Sequence, residues 1–107
     1  MKLGKSFDKY FENREQAKII DEIYDTLINI DEIHSFNMKD DDGLSVRKII
    51  FTVLEDDKHY FYMPDSFVNE ISDKIIDDIN NGNDNISGVF TKVTTKKGYQ
   101  CWNFEDK

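Results

Sequence analysis

Apolar residues along this chain recur at two different spacings, and the switches between them divide it into elements. Ala17, Ile20, Tyr24 and Leu27 follow one another at steps of three and four, with Ile28 adjoining, which would place them on one face of a helix. Asn13 and, three residues later, Gln16 read as an N-cap with its capping-box partner, so the spacing predicts a helix over 13–29. Phe7, Tyr10 and Phe11 fit a short helical turn leading into it.

From Ile33 the period becomes two, with His34, Phe36 and Met38 on one face and Ser35 and Asn37 on the other, the pattern of a half-buried strand. Asp40-Asp41-Asp42-Gly43 then supplies a turn. Residues 44–54 are apolar on both faces, Val46, Ile50 and Leu54 against Ile49, Phe51 and Val53, which predicts a central strand covered on both sides. A turn at 55–58 and a third strand at 59–63 follow, stopped by Pro64.

A second helix is expected after the proline, capped by Asp65 or Ser66 and closed by Gly82. Phe67, Ile71, Ile75 and Ile79 form its apolar row, joined by Val68 and Ile76, and Glu70, Asp73 and Asp77 lie opposite. Strands at 86–95 and 99–104, joined by a Lys96-Lys97-Gly98 turn, complete the chain as a hairpin. The expected fold is α+β, a single domain over 1–107. It has a five-stranded, mainly antiparallel sheet carrying two amphipathic helices, in the order α-β-β-β-α-β-β.

Composition supports a folded core: 38% of the 107 residues are hydrophobic and 13% aromatic, although 34% are charged. The longest apolar runs, Ile49-Ile50-Phe51 and Tyr60-Phe61-Tyr62-Met63, fall far short of the roughly 20 residues a membrane-spanning helix needs. Residues 1–8 contain no apolar stretch of the secretory kind, and cytoplasmic residence is the expectation. Cys101 is the single cysteine, which excludes an intrachain disulfide.

The net charge of −8 is unevenly distributed. Residues 1–18 carry five basic and three acidic side chains, residues 19–85 five and seventeen, and residues 86–107 four and two. A protein that binds nucleic acid by neutralising phosphates would carry the opposite sign over most of its surface. An acidic middle suits a basic partner.

Catalytic constellations are not legible. The two histidines fall in expected strands with no zinc-ligand spacing, and the lone cysteine has no nucleophile signature near it. Asp40-Asp41-Asp42-Gly43-Leu44-Ser45 lacks the alternating ligands and the twelfth-position glutamate of a calcium loop. Glycines 4, 43, 82, 88 and 98 stand singly, so no phosphate-cradling loop exists. No catalytic residue, metal or cofactor is therefore expected, and an enzyme is the least favoured class.

Two surfaces remain. The first is acidic: Glu70, Asp73, Asp77 and Asp78 on the second helix with Asp84 beside it, Glu15, Glu22 and Asp25 on the first, and the turns Asp40, Asp41, Asp42 and 55–57. Three- and four-residue steps at about 1.5 Å rise per residue separate these charges by roughly 4.5–6 Å, comparable with phosphates along a nucleic-acid strand. The second surface is aromatic and mildly basic: Trp102, Tyr99 and Phe90 with Lys92, Lys96 and Lys97, with Tyr60 and Tyr62 as possible neighbours.

In size, acidity and mixed α/β pattern the chain resembles phage-borne inhibitors of host enzymes, including anti-CRISPR proteins that act on CRISPR effector nucleases. That resemblance rests on overall character and assigns no residue a role. It implies a non-enzymatic inhibitor that engages a basic, nucleic-acid-binding protein through its acidic surface by nucleic-acid mimicry. Two other expectations stand beside it: a single-stranded nucleic-acid-binding module using the aromatic surface, and a phage structural or assembly protein.

Overall fold

The segment expected to form the first helix feeds the sheet instead. In the computed structural model, which describes Phe11 and residues 14–107, β1 (Glu15–Ala17) is followed by a single helical turn, α1 (Ile19–Glu22), and then by the long strand β2 (Leu27–Lys39). The proposed cap Asn13, together with Phe7 and Tyr10, lies outside the described residues, and Gln16 sits in a strand. Ile19, Ile23 and Ile28 are buried, whereas Ile20 and Leu27, members of the expected helical stripe, are exposed. The reason is local and tertiary together. β-Branched isoleucines are indifferent helix formers, and the sheet offers partners: Asp25, at φ 55°, donates its N–H to the Phe90 carbonyl at 2.8 Å, and Tyr24 bridges to Phe90.

After β2 come β3 (Ser45–Val53), β4 (Asp56–Tyr62), α2 (Asp65–Val68), α3 (Asp73–Asn80), β5 (Ser87–Thr94) and β6 (Gln100–Asp106). The sheet order is β1-β4-β3-β2-β5-β6, with β1 parallel to β4 and every other pair antiparallel. Among the described residues six strands with one parallel pair thus stand where five, mainly antiparallel, are expected, and three short helices stand where two long ones are. None is long and apolar enough to cross a membrane.

β3 is central, as its two-sided apolar pattern requires. Ile49, Phe51 and Val53 join the main core under the helices, while Ile50 faces the other way with Phe11 and Tyr60. Along β2 the alternation would break after Ile30, but one extra residue between the pairs Ile30–Val53 and Ile33–Phe51 resets the phase. Ile28, Ile30 and Ile33 therefore all face the same core. β5 accompanies β2 only over residues 27–29, and past it the Asn80 carboxamide at the end of α3 takes both backbone groups of Ile33. Asn80 Oδ1 accepts from the Ile33 N–H at 3.0 Å, and Asn80 Nδ2 donates to the Ile33 carbonyl at 2.7 Å.

Aromatic rings cross the main core from strand to strand. Phe61 meets Phe51 (centroids 5.6 Å), Phe51 meets Phe90 (5.8 Å), and Phe90 meets Phe104 (4.7 Å), each pair contributing about 0.5–1.5 kcal/mol beyond its burial. Close contact of Phe104 with β5 requires glycine at position 88. A Cβ built there would lie 2.3 Å from the Glu105 carbonyl oxygen and 2.6 Å from Phe104 Cζ.

The second expected helix is broken at 69–72. Ser72, not Asp65 or Ser66, provides the side-chain cap, its Oγ accepting from the Ile75 N–H at 3.3 Å. Arg47 of β3 reaches into the break and donates from Nη1 to the carbonyls of Val68 and Ile71, both at 2.7 Å, and from Nη2 to Asp73 at 3.0 Å. The carbonyls on either side of the break are thereby satisfied by a guanidinium, that of Val68 together with the Ile71 N–H at 3.4 Å. Gly82, at φ 78°, closes α3 as expected.

Candidate functional site

The acidic residues singled out in the sequence fall into separate places. Asp73 and Asp77 are exposed on α3, and Asp78 is half-buried there. Glu70 lies in the turn between α2 and α3, not on the same helix face as Asp73 and Asp77. Asp40, Asp41 and Asp42 form the β2–β3 turn. Glu22 ends α1 and Asp25 follows it, at the opposite end of β2, which carries the chain roughly 40 Å between the two ends. The Asp40–Asp42 turn and the Glu22 and Asp25 pair therefore lie at opposite ends of β2.

Several of these carboxylates are engaged within the protein. Asp73 pairs with Arg47 and also accepts from Ser35 Oγ at 3.4 Å. Asp78 pairs with Lys74 at 2.8 Å, an i,i+4 contact that raises the lysine's pKa, and Asp65 pairs with Lys48 at 2.9 Å. Asp40 Oδ1 accepts from the N–H groups of Asp42 and Leu44, holding the turn. Glu55 accepts from the Asn29 N–H and Nδ2, both at 2.7 Å. Burial acts to raise its carboxyl, but the hydrogen bonds from Asn29 outweigh this and hold it below the usual range.

Glu70 and Asp106 differ from these, because neither side chain takes part in an ion pair or a hydrogen bond among the described residues. They share the rim of a cleft of about 260 Å³ between the α2–α3 turn and the β5–β6 hairpin. Phe67 and Ile75 form the helical wall, and Phe90 and Phe104 the hairpin wall. Glu70 was legible from the sequence as an acidic residue; Asp106 was not, because only the pairing of β6 with β5 brings it to the same mouth.

At the other end, Glu22, Asp56 and His59 converge, with one potential ligand atom from each lying within 4.8 Å of the others. They are the residues in the described part of the chain that could hold a divalent cation. Sequence spacing missed them because Glu22 is remote in the chain and only the 56/59 spacing was visible. In the structure His59 Nδ1 and Asp56 Oδ2 are hydrogen-bonded at 2.9 Å, and Arg14 Nη1 donates to the carbonyls of Asp56 (2.8 Å) and His59 (3.2 Å). The pair thus clasps the start of β4. The Asp56 hydrogen bond raises the imidazole pKa against desolvation, helped by the charges of Asp56, Glu22 and Glu15. Burial pushes the Asp56 carboxyl up, but bonds from the His59 ring and the Lys58 and His59 N–H groups, with the imidazolium charge, bring it below its ordinary value.

The sign of the resulting pH dependence follows. A raised imidazole pKa contributes stability that is complete below the unfolded value of 6.5 and is lost as pH rises through the folded value. A lowered carboxyl pKa contributes stability present above 3.8 and lost as pH falls through the folded value. His34, whose pKa desolvation lowers against the raising effect of Glu32, acts in the opposite sense and cancels in a difference between variants. The melting-temperature gap between the native chain and His59→Gln is expected to be widest between pH 4 and 6.5 and to narrow toward pH 9. A gap independent of pH would show that the clasp does not titrate as described.

The aromatic surface is placed differently from its sequence reading. Trp102 is half-buried on the core side of β6, edge-on to Phe90 and Tyr24 at 6.1 Å each, with Lys92 Nζ 4.8 Å from its ring centroid. Tyr99 is exposed beside the hairpin loop that carries Lys96 and Lys97, and Cys101 is exposed on β6. Tyr60 and Tyr62 belong to β4, several strands away. No family model matches this chain, and neither the curated proteins nor the solved structures offer a match from which a fold or an activity could be carried over.

Proposed function

We propose that the chain is a non-enzymatic binding protein, of inhibitor type, that engages a basic, nucleic-acid-binding partner through carboxylates on the helical side of the sheet. The observation that carries this reading is the surplus left after internal pairing. Arg47, Lys48 and Lys74 each engage one carboxylate, Asp73, Asp65 and Asp78, while Glu70, Asp77 and Asp106 remain exposed without an ion pair among the described residues. Exposed carboxylates of this kind speed encounter with a positive groove more than they strengthen the final complex.

Single-strand binding by the aromatic surface is less well supported. Trp102 already has one ring contact taken by Lys92 and two by neighbouring aromatics, which leaves Tyr99 as the exposed stacking group beside Lys96 and Lys97.

The test uses the whole chain as bait in a bacterial lysate, eluting first with excess DNA and then with salt. A nucleic-acid-binding protein released by either is the expected result. The triple variant Glu70→Lys/Asp77→Lys/Asp106→Lys should then associate with that protein at least tenfold more slowly at low salt, with an unchanged melting temperature. Normal association by the triple variant, or retardation of labelled DNA by the chain itself in a gel, would overturn the proposal. Asp73 is left out of the variant because its bond to Arg47 is part of the fold.

A further inference from the structure

We infer that the cleft between the α2–α3 turn and the β5–β6 hairpin is a receptor for one arginine side chain of the partner, a step that rests on the partner being basic. Three properties of the cleft select this occupant. Its volume, about 260 Å³, lies below the range of pockets for drug-sized ligands and suits one large side chain inserted as an anchor. Its walls are apolar and aromatic, Phe67 and Ile75 facing Phe90 and Phe104, and match the methylene stem and planar face of arginine, which stacks on aromatic rings. Its rim holds Glu70 from the helical side and Asp106 from the hairpin side, neither used in an ion pair among the described residues.

A guanidinium carries five N–H donors in a fixed fork and can serve two carboxylates at once, whereas an ammonium is a compact, strongly hydrated charge. The cleft is therefore selective for arginine over lysine. It is also set apart from Asp73 and Asp78, which Arg47 and Lys74 already engage.

The test is a titration of the intact, isotope-labelled chain with N-butylguanidinium, followed through the methyl resonances of Ile75 and Ile86, which both line the cleft. Saturable shifts confined to these and to the Phe90 and Phe104 rings are expected, with a dissociation constant at least tenfold lower than for the neutral isostere N-butylurea. Butylammonium should bind more weakly than the guanidinium. In Glu70→Gln/Asp106→Asn, whose altered side chains are exposed and in no ion pair among the described residues, the guanidinium affinity should fall at least tenfold with no change in melting temperature. Equal binding of N-butylurea, shifts spread over all acidic segments, or an unaffected double variant would each overturn the inference. Loss of the cleft's binding alongside salt-sensitive partner capture would remove only this inference. Guanidinium binding without capture of a basic protein would remove only the partner assignment.

Discussion

Replacing Arg47 with methionine is expected to destabilise the protein by about 2–4 kcal/mol, a fall in melting temperature of roughly 10–20 °C for a chain of this size. Methionine keeps most of the apolar stem and removes only the fork. What is lost is the donor set for the Val68 and Ile71 carbonyls and the partner of Asp73. The two carbonyls sit where the chain leaves α2 and enters α3, and besides Arg47 the Val68 carbonyl accepts a long bond from the Ile71 N–H at 3.4 Å. Hydrogen bonds to a charged group are worth about 1.5–3 kcal/mol each and are not additive, which sets the range. Lysine at the same position should recover less than half, because a single ammonium cannot reach two carbonyls and a carboxylate in one plane. A methionine variant melting within about 1 kcal/mol of the native chain, measured by chemical and thermal unfolding, would mean that the α2–α3 break is held by other contacts.

Gly88→Ala is expected to cost at least about 2–4 kcal/mol, since overpacking alone typically costs 1–3 and here the closest clash is with backbone. The new Cβ would fall 2.3 Å from the Glu105 carbonyl oxygen, which can retreat only by separating β5 from β6, and 2.6 Å from the Phe104 ring. Displacement of Phe104 also disturbs its 4.7 Å contact with Phe90. Trp102, two residues from Phe104 and the single tryptophan, reports the change: its fluorescence should shift to longer wavelength as the hairpin opens. Adding Phe104→Leu to Gly88→Ala should restore part of the stability but not all, because the Glu105 carbonyl remains in the way. Full recovery in the double variant would assign the whole strain to the ring.

Local pattern revealed the elements whose neighbours are adjacent in sequence. The two-sided apolar run of β3, the turns at 40–43 and 96–98, and the closure of α3 at Gly82 all lie where the residues indicate. The first segment was misread because apolar residues at 17, 19, 20, 23, 24, 27 and 28 satisfy more than one helical stripe, and nothing local shows that Asp25 and Tyr24 will be claimed by Phe90, far along the chain. The long second helix was misread for a similar reason. Its apolar row is continuous in sequence, but Arg47, more than twenty residues earlier, captures the carbonyls at the break.

The candidate site was legible by residue type and not by partnership. Glu70 could be named as acidic, yet its distinction from Asp73 and Asp78 depends on where Arg47 and Lys74 end up. Asp106 and the cleft walls depend on the register of β5 with β6, in which Phe90 stands opposite Phe104 and Gly88 opposite Asp106. Such cross-strand facts are set by long-range pairing, which periodicity along one strand does not encode.

The double hydrogen bond between Asn80 and Ile33 also bears on how the protein behaves in a crowded solution. β5 pairs with β2 only over residues 27–29, so among the described residues the outer rim of β2 beyond the bulge has no strand beside it. A bare rim of this sort is a template onto which another extended chain can add. The carboxamide occupies its first vacant donor–acceptor pair as a neighbouring strand would, and Asp73 holds the Ser35 hydroxyl farther along, so a helix blocks the place where runaway stacking of one molecule upon the next would begin.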